Sequence, residues 1–205
     1  MFRFFGICLL LSVFPGLVIA DQDCMSYKVR PRITVATPAW TKQVVQPLRE
    51  MDLLHGDVIA TLVDNYDITG DVTGIEDGFC VSLKSVAATV GYNDFLVQID
   101  IRHRPDTCAY NAVLSHEDQH IRAYLSIIDD FQTELHNAIY AAADSVMPVF
   151  VSDEEGIDGA LDLLNQKLQE HPDVVLVKQK IKAAEEIRNK NVDADDDGSR
   201  LKQCM

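Results

Sequence analysis

From Thr107 to Met147 the chain contains neither glycine nor proline. These are the two strongest breakers of a helix interior, so a run this long without them commits the middle of the chain to helix. Asp106 or Thr107 can cap its first turn, and Pro148 ends it. Val113, Ile121, Tyr124, Ile128, Phe131 and Leu135 trace an apolar stripe at helical spacing, with Glu117 the one charged residue inside it. The run reads as one helix, or as two with a break between Ser126 and Asp130.

Within this run, His116-Glu117-Asp118-Gln119-His120 is an HExxH pattern. Positions four apart lie on one helix face, one turn apart. The imidazoles of His116 and His120 can therefore hold one Zn²⁺, and Glu117 can take a proton from water at the metal's open position. A carboxylate on an apolar stripe is costly to bury unless something uses its charge, and metal-bound water is one such use. The plainer reading is a long amphipathic helix with two half-buried histidines and one satisfied glutamate. Glu117-x-x-His120 is also half of a di-iron bundle motif, but the chain has no second ExxH.

Upstream, Tyr27 to Thr37 reads as a strand bent at Pro31, and Leu48 to Tyr66 as an amphipathic helix weakened at Gly56. His55 beside that glycine reads as a surface or core-edge residue. Cys80 to Val90 and Phe95 to Arg102 read as an antiparallel hairpin turning at Gly91-Tyr92-Asn93-Asp94. Downstream, Asp158 to Glu170 and Asp173 to Lys190 read as helices separated by Pro172. The expected fold is α+β: a small antiparallel sheet packed on the long HExxH-bearing helix, with additional C-terminal helices. The expected division is a cleaved signal peptide over 1–20, an α+β domain over 21–150, and a helical appendage with an acidic tail over 151–205.

The signal rests on Arg3, the apolar run from Phe4 to Val18, and the small residues Val18 and Ala20 at the −3 and −1 positions of a cleavage site. The run is short for a membrane span, so no stable membrane insertion is expected after cleavage, and the destination is the periplasm or the medium. Cleavage removes Cys8 and leaves Cys24, Cys80, Cys108 and Cys204, an even set that suits two disulfides. The hairpin would bring Cys80 near Cys108, which favours Cys80–Cys108 with Cys24–Cys204. Losing Arg3 takes the formal charge from −14 to −15, which argues against nucleic acid as a partner. With 47% hydrophobic residues the chain can bury a core. In the tail, Asp193-x-Asp195-x-Asp197-Gly198 matches the first half of a Ca²⁺ loop, but position twelve falls on Cys204, so a solvated acidic run is the simpler reading.

HExxH on a helix that follows a strand resembles the zincin metalloproteases. A secreted chain with few cysteines and HExxH near its middle resembles, more narrowly, the bacterial predicted secreted zinc-dependent proteases. That resemblance implies His116 and His120 as zinc ligands, Glu117 as general base and later proton donor, and a peptide or protein as substrate. It also lets the strand Phe95 to Arg102 pair with an extended substrate, and His103 or Tyr124 stabilise the oxyanion. The metzincin extension is missing, because Ala123 and Ser126 stand where glycine and histidine would be. The third ligand stays open among Asp129, Asp130, Glu134, Glu154 and Glu155. Glu134 lies about 21 Å along the helix from His120 if the helix is unbroken, and serves only if the chain turns. The competing expectation is a non-catalytic exported protein that keeps HExxH for structural reasons and acts through protein–protein contacts.

Overall fold

The structure is a computed structural model that describes residues 22–47, 55–195 and 198–204. The expected signal peptide lies outside the described residues, as does the 48–54 part of the expected first helix. Five strands form one sheet: β1 (Arg32–Ala36), β2 (Thr41–Val45), β3 (Gly56–Ile75), β4 (Gly78–Ile99) and β5 (Val149–Val151). Four helices accompany it: α1 (Cys108–Ser145), α2 (Ile157–Gln169), α3 (Pro172–Asp195) and α4 (Ser199–Cys204).

The α+β class holds, but the sheet is not the antiparallel one expected. β3 and β4 form a long antiparallel hairpin, turning at Glu76-Asp77. On the other edge of β4, β1 and β2 run parallel to it, against Ser85–Thr89 and Asp94–Gln98, and β5 pairs antiparallel with Phe79–Val81. Three short segments thus lie end to end along one long central strand. The expected helix Leu48 to Tyr66 is strand from Gly56 onward, because Val58, Ile59, Thr61 and Val63 are β-branched and meet a partner strand of matching length.

The expected turn at Gly91-Tyr92-Asn93-Asp94 is a bulge. Thr61 pairs with Asp94 and Leu62 with Tyr92, which leaves Asn93 unpaired. A second bulge skips Lys84, between Thr69↔Ser85 and Gly70↔Leu83. Each bulge shifts the inward face by one residue. The buried set on β4 accordingly runs Val81, Leu83, then Val86, Ala88, Val90, Tyr92, then Phe95, Val97, Ile99. With neither extra residue the middle four would face outward, and with only the first shift the last three would. Gly91, at φ 151°, also allows the close approach of Pro38, whose Cδ would stand 2.9 Å from any added Cβ.

Because β4 runs straight on, Cys80 and Cys108 do not meet, and the expected disulfides are replaced. Cys24 bonds Cys80 and Cys108 bonds Cys204, with Cα separations of 5.5 and 5.3 Å. After β4 the fully buried Asp100 carboxylate accepts from the backbone N–H and the guanidinium of Arg102, which turns the chain toward α1. Thr107 caps α1 by accepting from the Tyr110 N–H. α1 then continues unbroken for 38 residues, about 57 Å.

One core joins the inward face of β4 to Val113, Ile121, Ile128, Leu135 and Ile139 of α1 and to Val174, Val177 and Ile181 of α3. A second, smaller core gathers Val81, Val146, Val149, Ala160 and Leu164 under α2. The residues after 150 therefore share their apolar faces with the sheet and α1. α3 lies antiparallel to α1: Lys180 bonds Glu134, Arg188 bonds Asp130, and Asn189 bonds His120. That register fixes what stands opposite the HExxH turn.

Candidate metal centre

His116, Glu117 and His120 occupy one turn of α1, and α3 brings Asp193 to them. Asp193 Oδ1 lies 3.1 Å from His120 Nε2 and 3.5 Å from His116 Nε2, and the two Nε2 atoms are 3.2 Å apart. Asn189 and Asp193 are four apart on α3, as the histidines are on α1, so two one-turn pairs face each other across the helix contact.

His120 Nδ1 donates to Asn189 Oδ1 at 2.9 Å. The amide oxygen only accepts, so Nδ1 carries the proton, and in neutral imidazole Nε2 offers its lone pair to the triangle. Three polar atoms this close need a hydrogen on one of them, which the Nε2–H tautomer of His116 supplies, or a cation among them. The donor set suits zinc on chemistry and on size. Ligands at about 2.0–2.1 Å in a tetrahedron stand about 3.3 Å from one another, and the three separations here bracket that value.

Glu117 is 4% exposed and borders a cavity of about 450 Å³ that the two histidines and Asp193 also line. Burial first, then the charges of Asp57, Asp193 and Asp118, push its carboxyl up to about 8. A cation in the triangle would draw that value down. The first residue of β3 packs directly on the carboxyl: a Cβ on Gly56 would fall 2.4 Å from Glu117 Oε1. Tyr124, one turn beyond His120, lines the same cavity, and burial raises its phenol pKa. On the outer side Asp118 is held by Lys42 of β2 at 2.9 Å.

The expected third ligands do not reach the site. Asp129, Asp130 and Glu134 lie farther along an unbroken α1, and the last two are bonded to Arg188 and Lys180. Glu154 and Glu155 belong to a short 3-10 turn after β5, away from the cavity lining. In the acidic run, Asp197 lies outside the described residues. α3 continues through Asp195, so Asp193 and Asp195 point about 200° apart around the helix and do not converge as Ca²⁺ ligands. Of the two oxyanion candidates, Tyr124 reaches the cavity. His103 is buried behind His55, with His55 Nδ1 2.9 Å from its Nε2, and it is His55 that lines the cavity. The strand expected to pair with substrate has no open edge over Asp94–Gln98, because β2 and β3 occupy both sides.

Asp193 and Asn189 belong to the site without being expected there from the sequence. A signal was present in the spacing of Asn189 and Asp193, but it becomes legible only with the α1/α3 register. The chain matches no family model, no curated protein and no solved structure.

Proposed function

We propose that this chain is an exported, zinc-dependent peptidase of the zincin kind. The reading is carried by one observation: His116, His120 and Asp193 present three donor atoms at tetrahedral-edge spacing beside the buried carboxyl of Glu117. When bound, zinc polarises the scissile carbonyl and lowers the pKa of the attacking water. The remaining work belongs to the chain. Asn189 orients His120, Asp193 supplies the anionic ligand, and the apolar wall of Val58 and Val113 limits water at the reacting bond. Glu117, ionised once a cation sits beside it, accepts the water proton on its carboxylate and passes it to the leaving amine. Tyr124 donates a hydrogen bond from its phenol toward the carbonyl oxygen.

Export is supported by the two disulfides, which belong to oxidising compartments. Among the described residues no helix is long and apolar enough to cross a membrane. The test is metal analysis of the purified chain together with peptide hydrolysis. Stoichiometric zinc in the parent and in Glu117→Gln, with hydrolysis in the parent alone, supports the reading. Full hydrolysis by Glu117→Gln, or zinc content unchanged in His116→Ala, overturns it, and a parent without zinc favours protons bridging a structural triad.

A further inference from the structure

The cavity beside the triangle is lined by three carboxyl groups, Asp57, Glu117 and Asp193, and by one guanidinium, that of Arg200. Arg200 is exposed, and its hydrogen bond is to a neutral hydroxyl, Ser115 Oγ at 3.4 Å. No carboxylate among the described residues pairs with it. The neighbouring cations differ: Lys42 is taken by Asp118 and Arg188 by Asp130. In a chain with 32 acidic residues against 18 basic ones, an arginine at the edge of a cleft that no described carboxylate pairs with can offer its bidentate fork to a ligand.

The helix that carries it is tied to α1 covalently. Arg200 sits on α4, and Cys204 at the end of α4 is bonded to Cys108 at the start of α1. The crosslink anchors α4 beside the start of α1, and the hydrogen bond to Ser115 places the guanidinium one residue before His116. Arg200 is therefore presented to the same cavity as the candidate metal ligands, while the acidic groups around it would repel an anion that lacked such a partner.

We propose that Arg200 is a specificity residue that receives a carboxylate of the substrate, so that the site selects peptides carrying one close to the bond to be cut. This rests on the peptidase reading for its consequence. The carboxylate is either the C-terminal one of a peptide or that of an Asp or Glu side chain, and both present the same two oxygens to the fork.

The test measures binding, by calorimetry, to full-length Glu117→Gln protein in zinc-containing buffer. Three probes are compared: an N-acetylated tripeptide acid, its C-terminal amide, and an amide with an internal glutamate. One of the carboxylate-bearing probes should bind about tenfold or more tighter than the neutral amide, as a charged hydrogen-bond pair gives. Which probe gains identifies the source of the carboxylate. Adding Arg200→Ala should bring the ratio to about one, and Arg200→Lys should retain part of it. Arg200→Gln, with the Cys108–Cys204 bond confirmed by mass, controls for misfolding. Equal binding of all three probes by the parent, or a preference that survives Arg200→Ala, overturns the proposal. Zinc content of the same samples reports on the peptidase reading separately, because the preference is read from binding whether or not hydrolysis occurs.

Discussion

Replacing Glu117 by glutamine should make the metal-free protein more stable while, on the proposed peptidase function, abolishing hydrolysis. The carboxyl titrates near 4.5 when the chain is unfolded and is pushed up to about 8 in the fold, mainly by burial. Below pH 4.5 both states hold the proton and the group has no effect on folding. As pH rises from 4.5 toward 8, the unfolded chain releases its proton and the folded chain keeps it, so stability falls throughout that window. At pH 7 the gap of about 2.5 pH units corresponds to up to about 3 kcal/mol at 1.36 kcal/mol per unit, trimmed by cleft water on one side of the carboxyl. Glutamine has nearly the same shape and no proton to lose. For a chain of this length that difference is a rise in Tm of roughly 5–10 °C in chelator at pH 7. The assay is urea unfolding of both proteins with EDTA at several pH values and constant ionic strength. The two curves should coincide near pH 4.5 and diverge steadily to pH 8. A difference independent of pH, or a glutamine variant less stable at pH 7, would refute the claim that the fold holds a strained carboxyl. Zinc should narrow the difference, since a cation beside Glu117 stabilises its charged form.

Three further outcomes follow from the geometry. Asn189→Ala removes the acceptor that sets the His120 tautomer and should weaken zinc affinity about 10–100-fold in a chelator competition, with helix content unchanged. Gly56→Ala forces a Cβ against Glu117 Oε1 and Val113, and should cost about 1–3 kcal/mol by chemical denaturation, partly recovered in Glu117→Ala. Peptide mapping of the non-reduced chain should yield Cys24–Cys80 and Cys108–Cys204 fragments; finding Cys80–Cys108 would contradict the straight course of β4.

Much of α1 is legible in the residues alone, since Thr107, the uninterrupted run to Ser145 and the buried stripe are local properties. The two histidines and Glu117 are legible for the same reason. β3 is not, because the apolar residues from Val58 to Val63 satisfy a helical spacing as well as a strand, and only β4 decides between them. Nor is β4 as a single strand: Gly91 and Asn93 are turn residues by composition, and a bulge uses the same residue types as a turn. The disulfide pairing depended on that turn and failed with it. Asp193 was hidden for a different reason. It comes from another helix, and nothing local to it distinguishes it from the acids that follow.

The remoteness of Asp193 also has a consequence in time. A chain synthesised from its N-terminus exposes His116 and His120 well before α3 exists to face them. Until then the two histidines have neither their anionic third donor nor the Asn189 that sets one of their tautomers. The Cys108–Cys204 bond, which holds α4 over the cleft, closes later still. The three donor atoms of the centre thus come together only when almost the last part of the described chain has emerged, and a metal held by all three binds only after α3 has packed on α1.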